Sequence, residues 1–144
     1  MKILLDTNIF IRFFIPEDEE MHAVVRSLIS ACAAGTYSPY TSSFVLLECS
    51  FVLHRIYGFP FDRVQDCLEK VIALRNMVIV DTSDSKKALA MWKKTGVKFT
   101  DCLIATQVPK GVVLVTYDRD FAKLPGLTVR TPQEVWRRAE GTRR

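Results

Sequence analysis

Apolar positions along this chain come in two textures, unbroken short runs and helically spaced sets, and the two alternate. Ile3, Leu4 and Leu5 form an unbroken run closed by Asp6. Such a run suits a central strand of a parallel sheet, covered on both faces. Thr7 and Asn8 then begin a helical pattern at Ile9, Phe10 and Phe13, so residues 2–11 read as strand, sharp turn, helix. Pro16 stops that helix, and the acids at 17–20 favour the positive N-terminus of the next. Met21, Val24, Val25, Leu28, Ile29 and Cys32 recur at helical spacing up to Gly35. Residues 37–40 form a short strand, and Thr41, Ser42 and Ser43 offer caps for a helix over 44–56. That segment is apolar almost all round, which calls for burial on two sides, by the core and by something else, for which a partner chain is a candidate. Gly58, Phe59 and Pro60 break it.

Phe61, Val64, Cys67, Leu68 and Val71 mark a further amphipathic helix, and residues 77–80 a strand that again ends in an acid, Asp81. Ser83 or Asp84 caps a helix carrying Ala88, Met91 and Trp92, and Thr100 caps one carrying Asp101, Leu103, Ile104 and Ala105. Residues 112–115 are the second very apolar strand, 117–121 a polar turn, 127–129 a short strand, and Pro132 opens a last helix. Strands and helices alternate throughout, which predicts an α/β domain with a mostly parallel sheet, right-handed crossovers and helices on both faces.

Composition narrows this picture. A chain of 144 residues, 49% apolar and 25% charged, is one globular domain. The expected division is a domain over 1–135 and a basic tail over 136–144, where Arg137, Arg138, Arg143 and Arg144 crowd together. No apolar run approaches the ~20 residues that span a bilayer, and the opening strand ending in Asp6 fits no signal peptide. The expectation is a cytoplasmic protein with no membrane partner. Cys32, Cys49, Cys67 and Cys102 each lie in apolar helical patterns with no CxxC pair, which reads as buried free thiols. The net charge of +4 permits a polyanion partner.

Four acids fall where the local pattern does not need them. Asp6 ends a buried strand, the place where open α/β sheets put their ligands, although an aspartate there also serves as a helix cap. Glu48 shares a helix face with Phe44, Phe51 and Val52; the bland alternative is an ion pair with Arg55 or Arg12. Asp101 opens a helix, where a dipole contact alone would explain it. Asp118 follows the strand at 112–115 as an ordinary turn residue would, and Asp120 could share its role. Together, carboxylates gathered at one sheet edge repel each other unless a divalent cation neutralises them. Oxygen-only ligands suit Mg²⁺ or Mn²⁺, and such ions activate water against phosphodiesters. His22 and His54 sit in helical patterns away from the strand ends.

These residues also carry a resemblance. LLDTNIFI at the start, Glu48 within LLECSFVL, FTDCLIAT around Asp101 and LVTYDRDF around Asp118 resemble, in order and over most of the chain, the PIN-domain family, and in particular VapC-type toxins of toxin–antitoxin pairs. The resemblance implies a five-stranded parallel sheet of order 3-2-1-4-5, a Mg²⁺- or Mn²⁺-dependent ribonuclease, a homodimer, and an antitoxin bound in a groove near the site. It implies an acidic quartet of Asp6, Glu48, Asp101 and Asp118, with Asp6, Asp101 and Asp118 on the metal and Glu48 completing the cluster. Thr116 matches a position that often carries a small hydroxyl or amide side chain, and Thr7 and Asn8 match residues that shape the turn beneath the first acid. Arg12 and Arg119 are the expected contacts to the RNA backbone. Two other readings remain open, a PIN-like module that grips RNA or protein without cutting, and a PIN nuclease of RNA processing. Phosphoryl-receiver domains need a paired acid after the first strand, where Leu5 stands before Asp6, and haloacid dehalogenases need DxD, where this chain has Asn8.

Overall fold

A computed structural model describes residues 1–142. Strand β1 (Lys2–Leu5) leads into α1 (Thr7–Phe14) and α2 (Glu19–Ala33). Strand β2 (Ser38–Ser42) leads into α3 (Ser43–Phe51), a π-helical turn (Val52–Ile56) and α4 (Phe61–Ile72). Strand β3 (Val78–Val80) is followed by α5 (Ser85–Thr95) and α6 (Phe99–Gln107), and β4 (Val113–Val115) by a 3₁₀ turn (Arg119–Lys123). Strand β5 (Val129–Arg130) and α7 (Pro132–Thr142) complete the described chain. All strand pairs are parallel, in the order β3-β2-β1-β4-β5.

The texture of each strand matches its place. Ile3, Leu4 and Leu5 have no exposed surface, and Leu4 lies level with Tyr40 of β2 and Leu114 of β4. Helices cover both faces of this central pair, so apolar side chains pointing either way are buried. Burying each such side chain stabilises by about 1.5–3 kcal/mol, and Leu4→Ala should cost about 2–5 kcal/mol with the cavity included. Edge strand β3, by contrast, leaves Val78 46% exposed. Pro39, which has no N–H to give, precedes the start of β2–β3 pairing at Tyr40.

The expected elements are present with shifted ends. β2 runs two residues further than its apolar pattern, because its buried hydroxyls find partners. Thr41 Oγ1 donates to the Leu5 carbonyl at 3.0 Å, and Ser42 Oγ accepts from the Val45 amide at 3.1 Å and caps α3. Asp84 caps α5 by accepting from the Lys87 amide. Thr100 does not cap the next helix; α6 already begins at Phe99, with Lys98 as its N-cap residue. The helix over 44–56 is not one α-helix. It changes to π geometry at Val52, which turns Leu53 into a second small core with Phe59, Val64 and Cys67.

The four cysteines are buried and free. The boundary drawn at 135 falls inside α7, where Val135 is buried and Trp136 packs on the core; Arg143 and Arg144 lie outside the described residues. Among the described residues, no helix is long and apolar enough to cross a membrane.

Candidate metal centre

The carboxyl ends of β1 and β4 lie side by side, and the chain turns away from the sheet just after each. The Asp6 amide donates to the Val115 carbonyl at 3.1 Å, which pins the first acid to the neighbouring strand. Asp6 is 3% exposed and makes no side-chain capping bond to α1. Its Oδ2 instead accepts from Thr116 Oγ1 at 2.7 Å and from Asn8 Nδ2 at 3.1 Å. Asn8 Nδ2 also reaches Thr116 Oγ1 at 2.9 Å, and Asn8 Oδ1 accepts from the Tyr117 amide at 3.1 Å. Thr116 Oγ1 in turn accepts from the Asp118 amide at 3.0 Å. The DTN turn and the β4 exit are thus one hydrogen-bonded unit. Thr116 and Asn8 both bond to the Asp6 carboxylate and to each other within it. Thr7 is buried, and its Oγ1 has no hydrogen-bond partner.

The other oxygen of Asp6, Oδ1, is buried without a hydrogen-bond partner, and so is Oδ2 of Asp101. Asp101 is 3% exposed, and its nearest cation is Lys98 Nζ at 3.8 Å from Oδ2. Burial is the main cause that pushes Asp6 up to about 6, against the hydrogen bonds from the Thr116 hydroxyl and the Thr7 amide; Glu48 and Asp118 add to the rise. Burial likewise pushes Asp101 up to about 7. Lys98 opposes that rise, and Asp118, Asp6 and Glu48 reinforce it. Each buried carboxylate therefore feels the other acids.

An open cleft of about 290 Å³ collects Asp6, Glu48, Asp101 and Asp118 on one surface. Glu48 is half-buried there, with Val52 one turn along; Phe51, expected on the same face, is 58% exposed instead. Among the described residues no ion pair reaches Glu48, so neither Arg55 nor Arg12 neutralises it. Asp118 spends Oδ1 on the Asp120 amide at 2.9 Å, capping the 3₁₀ turn. Asp120 pairs with Lys123 at 2.9 Å on the surface, and Arg119 is exposed; neither lines the cleft. Arg12 does line it, with its guanidinium carbon 5.9 Å from the Tyr117 ring centroid. Lys98, Glu17 and Tyr57 are cleft residues that the sequence reading passed over. Only Lys98 had a visible signal, its position three residues before Asp101 on the same helix face.

Two carboxylate oxygens buried without donors are costly unless a cation satisfies them. The donor set is oxygen only, which suits a hard divalent ion. As the side chains stand, no three acids among the described residues close tightly enough to hold one.

A parallel sheet with carboxylates gathered at its carboxyl edge defines a class of acid-cleft α/β domains. Within that class, this chain belongs to the PIN domain family, whose model matches residues 3–127. No curated protein matches the sequence. Solved structures share its fold. A chain in DNA-bound VapBC from Salmonella typhimurium aligns at TM-score 0.68 and 22% identity, covering 92% of this chain and 98% of that one. A chain in VapBC2 from Rickettsia felis, bound to a DNA fragment from its promoter, aligns at TM-score 0.61 and 20% identity, over 91% and 98%. A chain in a toxin–antitoxin complex from Klebsiella pneumoniae aligns at TM-score 0.57 and 23% identity, over 90% and 97%.

Proposed function

We propose that this PIN domain is a Mg²⁺- or Mn²⁺-dependent endoribonuclease and the toxin of a VapBC-type pair. The observation that carries the reading is the pair of buried, donorless carboxylate oxygens, on Asp6 and Asp101, beside a cleft that also holds Glu48 and Asp118. The toxin–antitoxin complexes among its structural neighbours support the biological setting.

Asp6, Asp101 and Asp118 hold the ion in this reading. When bound, it supplies charge neutralisation among the carboxylates and Lewis-acid polarisation of the phosphodiester. Glu48 accepts a hydrogen bond from the attacking water and orients it in line with the scissile bond, leaving a 5′-phosphate and a 3′-hydroxyl. Thr116 and Asn8 hold Asp6 by Oδ2 in one rotamer, which leaves Oδ1 without a hydrogen-bond donor. Arg12, steadied by Tyr117, contacts the RNA backbone; Arg119 reaches it only beyond the cleft. The exposed Leu47, Phe51 and Ile56 on α3 and its π turn support a homodimer face, and a cognate antitoxin is the second protein partner. The chain would act in the cytoplasm.

The test is RNA cleavage by the wild type and by Asp6→Asn, with Mg²⁺ and with EDTA. Cleavage by the wild type in Mg²⁺ alone, and none by Asp6→Asn, is the expected result. Full activity in the variant, or EDTA-resistant cleavage leaving 2′,3′-cyclic phosphates, overturns it.

A further inference from the structure

The cleft has a charge problem as a landing site for RNA. Five acids line it, Asp6, Glu17, Glu48, Asp101 and Asp118, against two bases, Arg12 and Lys98. A polyanion gains little by approaching that surface; its affinity must come from cationic ground next to it.

Helix α5 and its exit provide such ground. From Ser85 to Thr100 the chain has five lysines, at 86, 87, 93, 94 and 98, and no acid. All five are exposed. Among the described residues, Lys86, Lys87, Lys93 and Lys94 enter no ion pair. Leu89 and Trp92 lie three apart on the same helix, 41% and 46% exposed. The Trp92 ring is held against Phe99, with centroids 5.7 Å apart and planes at 26°. Gly96, in the left-handed conformation at φ 76°, lets α5 turn directly into α6. The surface is therefore continuous with the cleft, since Lys98 lines the cleft and Phe99 and Asp101 follow it on α6.

We propose that the α5 stripe of Lys86, Leu89, Trp92 and Lys93 binds single-stranded RNA running out of the cleft, with Trp92 as a stacking platform and Lys86, Lys93 and Lys98 on the strand's phosphates. Aromatic rings interleaved with cations are how proteins hold single strands without reading their sequence. The Phe99 contact fixes the indole in advance, so little ordering is left for the bound strand to impose. A second copy of the chain is a poor occupant. A two-fold contact would set this uniformly basic helix against its own mate, whereas the uncharged face of Leu47 and Phe51 on α3 carries no such repulsion. That the strand is RNA rests on the ribonuclease reading above; the charge and stacking arguments do not.

The experiment uses full-length Trp136→Phe protein, in which Trp92 is the only indole. It is titrated in EDTA with an oligouridylate of about 12 nucleotides and with a duplex of the same length. Tryptophan fluorescence and oligonucleotide anisotropy are read together. The oligouridylate should quench Trp92 and raise the anisotropy, and the duplex should quench far less. Adding Trp92→Ala should weaken binding by about 5- to 100-fold. Lys86→Glu with Lys93→Glu should weaken it by about 10-fold or more and flatten its salt dependence. Anisotropy that rises without quenching overturns the proposal, as does a Trp92→Ala variant that binds RNA like its parent but loses self-association in sedimentation. Wild-type cleavage in Mg²⁺ is scored alongside. Cleavage without quenching sinks the α5 site alone, whereas quenching without cleavage keeps this site and sinks the nuclease reading.

Discussion

Asp6 and Asp81 look alike in the sequence, each an aspartate closing a short apolar strand of the same sheet. Their surroundings are opposites. Asp6 ends β1, the central strand, is 3% exposed, and is held by Thr116 and Asn8. Asp81 ends β3 at the sheet edge and is exposed. The strand-then-acid pattern is thus only half of the site. The other half is the neighbour across the ladder, which for Asp6 is the β4 exit with Thr116 and Asp118.

Exchanging charges at these two positions is the most severe test of that contrast. Asp6→Asn keeps the shape and removes the carboxylate, so cleavage should fall by at least about 100-fold with circular dichroism unchanged. Asp81→Asn should cleave RNA like the wild type. Equal losses in the two variants would erase the distinction. Next in size is Thr116→Val, which removes the 2.7 Å bond to Asp6 and the acceptor for the Asp118 amide. Weakening of Mn²⁺ binding by about 10- to 100-fold is expected in a titration, with about 1–2 kcal/mol lost from the fold. Unchanged Mn²⁺ affinity would make Thr116 a packing residue.

A smaller effect concerns pH. Asp6 is raised to about 6 and Asp101 to about 7 in the folded chain, from ordinary values near 4 when unfolded. Between those values the native state binds more protons than the unfolded state, so stability falls as pH rises. In EDTA, denaturant midpoints should drop from about pH 4 to about pH 7 from these two groups and level off above. Asp6→Asn should shallow that slope and raise stability at pH 8 by on the order of 1–3 kcal/mol. A wild-type midpoint independent of pH across this window would show the carboxylates to be better solvated than their burial implies. Smallest of all, Asp81→Asn should shift stability by no more than about 0.5 kcal/mol.

The central sheet was legible because its residues have no local alternative. Ile3–Leu5 and the run at 112–115 are too apolar for any surface, and they pair as neighbours; Val112 is buried but lies just outside β4. The strand order came from the family resemblance, not from periodicity. The quartet was legible as acids out of place, and all four members line one cleft. Helix interruptions were not. Nothing in 44–56 marks Val52 as the start of π geometry, because that turn answers to packing of Leu53 on Phe59, Val64 and Cys67 from a later segment. The cationic side was legible only in part: Arg12 lines the cleft as a residue one turn after the DTN motif would. Arg119 follows Asp118 directly yet stays out of the cleft, while Lys98 reaches it from the N-cap of α6. Sequence adjacency to an acid says little about which way a long side chain runs.

The strand order also sets a sequence of events during synthesis. Asp6 is made early, but its partner Thr116 comes 110 positions later, and β4 must slot in beside β1 before the DTN turn is fixed. A nascent chain that has released β1, β2 and β3 carries Asp6 and Glu48 with neither Asp101 nor Asp118 to face them. Domains form as units as the chain emerges, so the acid cleft is assembled only once β4 has emerged. A chain stopped at β3 therefore presents two separate acids and no finished cleft.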